Sequence, residues 1–119
     1  MPRPASYPLE LYRGDTYRKR FRLNSKAPDG SPVPLDLTGW TGKAQIRPAV
    51  GGIVLVEFTV TIEDQVESPG QFTVSATDEI TAEIEVTAGV WDVQFTKAGE
   101  VRTMLAGAVV IIPDVTRLP

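Results

Sequence analysis

The residues best suited to bind a charged partner form a basic cluster near the N-terminus: Arg18, Lys19, Arg20 and Arg22. Alternate side chains of a β-strand leave the same face, so Arg18, Arg20 and Arg22 would form a positive stripe about 14 Å long. Guanidinium groups carry forked donors that match carboxylates. The stripe therefore indicates docking of an acidic protein surface or an acidic carbohydrate. A solvated sheet face, or an edge strand protected by its charges, is the alternative interpretation.

The two chain termini supply the other candidate binding residues. Residues 1–8 contain three prolines, and residues 114–119 follow the last predicted strand. Little in either segment could fill a core, so we expect an N-terminal arm and a C-terminal tail that become ordered against a neighbour. Deleting residues 1–6 is expected to leave the fold intact. The predicted contacts in these segments are Pro2, Arg3, Pro4 and Arg117.

Residues for catalysis or metal binding are scarce. The chain has no histidine and no cysteine, which excludes the commonest general base and metal ligand, and any thiol nucleophile. The carboxylate pairs Glu63-Asp64 and Asp78-Glu79 leave a glycosidase open, but their positions beside turns favour solubility and helix capping. No calcium-loop or glycine-rich phosphate-loop spacing is present. We therefore expect a protein that is not an enzyme and holds no cofactor or metal ion.

Charge is distributed unevenly along the 119 residues, whose formal net charge is −3. Residues 1–50 contain nine basic and four acidic side chains, whereas residues 51–100 contain one basic and ten acidic ones. If these blocks survive as surface patches, they favour head-to-tail association with a second copy or with another protein. A net-acidic domain is a poor nucleic-acid binder. No apolar run reaches the roughly 18 residues of a membrane helix, and no secretory signal is expected.

Ten glycines and ten prolines separate short segments rich in β-branched residues. This pattern predicts one all-β domain over residues 9–113, an antiparallel sandwich or barrel of seven or eight strands. The predicted strands cover residues 9–12, 16–23, 42–47, 53–60 with a continuation over 61–67, 71–76, 89–96 and 101–112. Residues 78–85 are predicted to form a short helix, with Thr77 as its N-cap and with Ile80 and Ile84 on one face. We expect this helix to plug one end of the sandwich.

The alternation of apolar residues along these segments predicts the core. Trp40 and Trp91 could instead form a sugar platform, but each lies in phase with apolar neighbours. The predicted core residues are Leu11, Phe21, Leu37, Trp40, Ile46, Phe58, Phe72, Val74, Trp91, Val93, Phe95 and Val109.

The order of the turn and strand motifs resembles a family of small β-sandwich domains in tailed-phage virions. The motifs are R-G-D-T-Y-R-K-R-F-R-L, then D-G-S-P-V-P-L-D-L-T-G-W-T-G-K-A-Q-I-R, and later G-Q-F-T-V-S-A-T and G-V-W-D-V-Q-F. The chain is similar to the N-terminal domain of baseplate upper proteins (BppU-like) and to the LtfC-like β-sandwich of long-tail-fibre proteins. The resemblance runs from Leu11 to Arg117 and implies an Ig-like antiparallel sandwich.

From this resemblance we expect a non-enzymatic structural component of a tailed-phage virion. It would be made in the host cytoplasm and would dock onto other virion proteins in the tail, baseplate or fibre-attachment region, as a homo-oligomer in the particle. The alternatives are a capsid decoration or head-tail completion protein, and a carbohydrate-binding module that contacts the host surface. An exposed tryptophan would favour the carbohydrate module, and buried tryptophans would favour docking.

Overall fold

Strands dominate the structure because β-branched and aromatic residues recur between glycine and proline turns. The computed structural model describes residues 5–113 and 115. The elements in these residues are β1 (Ala5–Ser6), β2 (Leu9–Tyr12), β3 (Tyr17–Arg22), β4 (Asn24–Lys26), β5 (Pro32–Pro34), β6 (Thr41–Arg47), β7 (Val56–Ile62), β8 (Gln71–Ala76), α1 (Asp78–Ala82), β9 (Ala88–Lys97) and β10 (Glu100–Ile112).

Eight of these strands form one curled sheet in the order β1-β10-β9-β6-β7-β8-β3, with β2 also paired to β10. Strand β7 turns the corner, because Val56–Phe58 pairs with β6 and Thr59–Ile62 pairs with β8. We call β1, β2, β10, β9 and β6 the major layer, and the second half of β7 with β8 and β3 the minor layer. This arrangement confirms the predicted all-β, sandwich-like fold with one short helix. A separate hairpin, β4-β5, was not predicted as strands.

The core lies between the two layers, where the strand periodicity sends apolar side chains inward. Phe72 of the minor layer meets Phe95 of the major layer edge to face, at 5.0 Å between ring centroids. Phe21 of the minor layer lies 5.8 Å from Trp91 in a tilted arrangement, and Phe58, at the corner in β7, lies 6.3 Å from the same indole. Every predicted core residue except Trp40 is buried. Aromatic contacts across the layers thus hold the sandwich together.

Trp40 is the exception, and its prediction as a buried residue is wrong. The indole is only partly buried, because Trp40 precedes β6 at the end of the sandwich, where it packs against the edge of the core. Two cations lie near its ring, with Lys97 Nζ 5.9 Å and the Arg102 guanidinium carbon 6.0 Å from the centroid. The strand begins at Thr41, one residue before its predicted start, and Trp40 stays outside it.

The N-terminal segment joins the sheet in a way that the sequence did not indicate. Strands β1 and β2 run parallel to β10, whereas the other pairings are antiparallel as predicted. Between β1 and β2, the Tyr7 carbonyl accepts a hydrogen bond of 2.7 Å from the Trp91 indole. The chain passes over Gly107, where an added Cβ would lie 2.4 Å from the Tyr7 oxygen. Residues 5–8, which we had placed in the arm, therefore belong to the sandwich.

The helix is shorter than predicted and buries a different face. It ends at Ala82, and Thr77 caps its start by accepting from the Ile80 amide at 3.3 Å. Ile80 is exposed, whereas Thr81 and Ile84 are buried. The Thr81 hydroxyl accepts from the Gly14 amide at 3.1 Å and donates to the Asp15 carbonyl at 2.8 Å. These bonds fasten the helix to the turn between β2 and β3, at the end of the sandwich.

Two expectations for the middle of the chain are also corrected. The strand predicted from residue 53 begins at Val56, and Val54 before it is exposed. The Arg47 side chain donates to the Gly52 carbonyl, and this hydrogen bond holds residues 48–52 as a loop. The predicted continuation over 61–67 is a strand only to Ile62.

Replacing Trp91 should destabilise the protein more than replacing Trp40. Trp91→Ala removes a fully packed aromatic and should lower the free energy of unfolding by about 3–5 kcal/mol, out of a total of roughly 5–15 kcal/mol. Trp40→Ala should lower it less, because that indole is already partly solvated. Urea unfolding followed by far-UV circular dichroism measures both. Equal losses would contradict the assignment of Trp91 to the centre of the core.

The N-terminal boundary can be located by truncation. A chain that starts at Ala5 keeps every contact described above, whereas one that starts at Pro8 loses the Tyr7 carbonyl and ring. The buried indole N–H is then left without its acceptor, which should lower the free energy of unfolding by about 1–3 kcal/mol in addition to the lost ring contact. Thermal unfolding of the two truncated chains measures the difference, and identical melting temperatures would contradict it.

Candidate partner-binding surface

The predicted arginine stripe exists, on the outer side of the minor layer. Arg18, Arg20 and Arg22 are all exposed on β3. The strand register places them opposite Ser75, Thr73 and Gln71 of β8, with Thr59 and Thr61 of β7 beyond. We call the surface formed by these eight residues the arginine face. It presents guanidinium, hydroxyl and amide groups without a large apolar side chain.

Among residues 5–113, β3 pairs only with β8, so the strand that carries the stripe is an edge strand there. Its orientation is fixed from within the core. Phe21 is buried and stacks on Phe72 at 5.4 Å between ring centroids. Because neighbouring side chains alternate, this burial sends Arg20 and Arg22 outward. The stripe is therefore both a charged sheet face and a charged edge strand, the two arrangements that the sequence left open.

One carboxylate of the same chain reaches the arginine face. Glu63 accepts from Arg20 at 3.0 Å, and its other oxygen accepts from the Thr73 hydroxyl at 3.3 Å. The Arg20 side chain is 58% exposed, so water screens this pair. Within residues 5–113, Arg18 and Arg22 make no ion pair. A depression of about 280 Å³ lies beside Arg18, Arg20 and Glu63. Guanidinium and hydroxyl donors around it suit an oxyanion.

The remaining predicted contacts, Pro2, Arg3, Pro4 and Arg117, lie outside the described residues. Of the predicted C-terminal tail, only Val115 is described, and it is exposed. The structure therefore brings together three of the predicted binding residues and does not relate them to the other four.

The acidic half of the sequence contributes a second charged surface. Asp78, Glu79, Glu83 and Glu85 are all exposed on α1 and the residues after it. Thr81 and Ile84 face inward at this point, so the carboxylates are turned to the outside. We call these four residues the acidic end. None of the four forms an ion pair with another residue of the described chain.

A groove on the outer side of the major layer was not predicted. It has a volume of about 410 Å³, and its polar lining comes from Gln45, Arg47 and Asp92, with Val90 and Ala106 as apolar neighbours. Gln45 and Asp92 are directly opposite in the register of β6 and β9. Partial burial raises the pKa of Asp92, and the nearby Arg47 opposes that rise. The groove residues of β6 and β9 alternate with the core residues of the same strands. The sequence therefore shows that they face outward, but which of them lie together follows only from the pairing of the two strands.

The two tryptophans differ in exposure. Trp91 is 3% exposed, and the half-buried Trp40 has Lys97 and Arg102 near its ring. Among the residues described, no group of three acidic side chains is arranged to hold a metal ion. No helix in this part of the chain is long and apolar enough to cross a membrane.

The pH dependence of stability should differ in sign between two aspartates. The folded-state pKa of Asp92 is raised, so its charge disfavours folding above that pKa. Asp92→Asn should therefore raise the melting temperature at pH 7, and the gain should vanish near pH 3.5, below the unfolded value of about 3.9.

Asp36 provides the opposite control. Its carboxylate accepts from the Thr38 hydroxyl at 2.6 Å and from the Thr38 amide at 2.9 Å, which lowers the pKa of Asp36. Asp36→Asn should lower the melting temperature at pH 7, and the loss should shrink as the pH falls below about 3.9. Differential scanning calorimetry at the two pH values tests both; changes of equal sign would contradict the assignment.

A scan against protein-family models and a search of curated proteins found no match to this chain.

Proposed function

We propose that this protein is a non-enzymatic structural component of a tailed-phage virion, which docks onto other virion proteins in the tail, baseplate or fibre-attachment region. The order of its motifs and its sandwich-like fold support this role. The observation that carries docking is the arginine face. Three arginines leave one side of a strand whose other side is fixed by Phe21, and only Arg20 is paired within the described chain.

Stability does not explain this placement of charge. Residues two apart on a strand are separated by about 6.7 Å, so the three guanidinium groups repel one another weakly. The pair between Arg20 and Glu63 is solvated and contributes roughly 0–1 kcal/mol. Exposed charges act more strongly on association, because complementary potentials steer partners together and exclude wrong ones. The arginine face is thus better suited to recognition than to folding.

A protein partner fits the surface better than a carbohydrate. Sugar rings bind open aromatic faces, whereas Trp91 is buried and the partly buried Trp40 has two cations near its ring. The arginine face instead offers several charged and hydroxyl donors along one strand, which suits carboxylates presented by a folded surface. The partner surface is therefore expected to be acidic.

Charge reversal on the arginine face tests the proposal. A variant with Arg18→Glu, Arg20→Glu and Arg22→Glu should keep the wild-type melting temperature within a few degrees but should be incorporated poorly into particles. Incorporation is measured by quantitative mass spectrometry of particles grown with either protein. Single substitutions should show a defect that depends on salt, because exposed charges are screened.

A matched control carries the same change in net charge away from β3, with Lys26→Glu, Lys43→Glu and Lys97→Glu. It should be incorporated normally, because none of these lysines belongs to the arginine face. Normal incorporation of the arginine variant, or an equal defect in the control, would overturn docking through this face.

The copy number in wild-type particles separates tail attachment, with a few to a dozen copies, from capsid decoration, with hundreds. Absence from particles would overturn the virion role.

A further inference from the structure

We infer that the partner of the arginine face includes a second copy of this chain, whose acidic end docks onto Arg18, Arg20 and Arg22. The inference rests on the proposed function, since it names an occupant for the same docking surface. Its first support is charge. The arginine face has three guanidinium groups and one carboxylate, whereas the acidic end has four exposed carboxylates without an ion-pair partner in residues 5–113.

Spacing is the second support. Glu79 and Glu83 are four residues apart on the helical segment, which corresponds to a rise of about 6 Å. Arg18 and Arg20 are two residues apart on a strand, which corresponds to about 6.7 Å. The two glutamates lie on the side of α1 opposite Thr81, which is buried. They can therefore meet two adjacent arginines together, with each guanidinium facing one carboxylate.

Rigidity is the third support. Thr81 fastens α1 to the turn before β3 through its bonds to Gly14 and Asp15, and Phe21 fixes β3 in the core. Neither surface has to be ordered when the copies meet, which reduces the entropic cost of association. The existing bond between Arg20 and Glu63 is exposed, so a carboxylate from a second copy can replace it at little cost.

Two complementary variants test the inference. The first carries Arg18→Glu, Arg20→Glu and Arg22→Glu, and the second carries Glu79→Arg, Glu83→Arg and Glu85→Arg. Sedimentation velocity at low salt should show association of the wild-type chain that increases with concentration and weakens with added salt. Each variant alone should be monomeric, with a dissociation constant raised about tenfold or more, as expected for like charges placed in contact. An equimolar mixture should associate again, because each reversed surface then meets an opposite charge.

A charge-matched control replaces Glu10, Glu57 and Glu67 by arginine, away from the acidic end. Because it keeps both surfaces, it should associate on its own as the wild-type chain does, and loss of its association would assign the effect to net charge instead of to the acidic end. Circular dichroism melting confirms that each variant is folded. If Glu79→Arg unfolds the first helical turn, the pair Glu83→Arg and Glu85→Arg replaces the triple variant and should give the same rescue.

The failure of this inference can be distinguished from the failure of the proposed function. A wild-type chain that stays monomeric at low salt and high concentration, or a mixture that fails to associate, overturns the inference. If the arginine-face variant is still lost from particles in that case, the docking function stands with a different partner. If that variant enters particles normally, the proposed docking fails whether or not the copies associate.

Discussion

The hydrogen bond from the Trp91 indole to the Tyr7 carbonyl is the constraint on which the arrangement of both layers depends. It forms only because Gly107, opposite Trp91 in the register, has no side chain where the N-terminal segment crosses. With the Tyr7 backbone held there, its ring meets Phe21 edge to face at 4.9 Å. A residue of the N-terminal segment thus links the major layer to the edge strand of the minor layer.

That link determines which side chains face solvent on β3. Once Phe21 is held between Tyr7 and Phe72, strand alternation leaves the arginines no inward position. The same placement also limits aggregation, since charged side chains on an edge strand disfavour pairing with another sheet. Protection of the edge and recognition of an acidic surface are therefore compatible uses of one stripe. Edge protection keeps other strands from pairing with β3, whereas recognition allows a surface of opposite charge to bind there.

Local patterns predicted the fold well wherever the determining contacts lie within one strand or turn. The predicted strands 89–96 and 101–112 are an example, because they pair as the hairpin of β9 and β10, with Ala98 and Gly99 at positive φ in the turn. Prediction failed where a distant segment decides the structure. The parallel pairing of β1 and β2 with β10 depends on Gly107, about one hundred residues later in the chain. Trp40 has the alternation of a core residue, but the end of the sandwich and two cations determine its exposure.

The candidate surfaces show the same division. The arginine stripe follows from the alternation of a single strand, so the sequence was sufficient to predict it. The groove beside Asp92 requires the register between β6 and β9, which no local pattern contains.

Charge summed along the sequence was also an incomplete guide, because the fold separates the acidic half of the chain. Glu63 joins the arginine face and Asp92 enters a groove with Arg47. The carboxylates on and after α1 remain together, because the helix packs through Thr81 and Ile84 and turns its charged side outward. A local concentration of charge thus survives folding where one short element buries its apolar side, and that is the part of the acidic half able to complement β3.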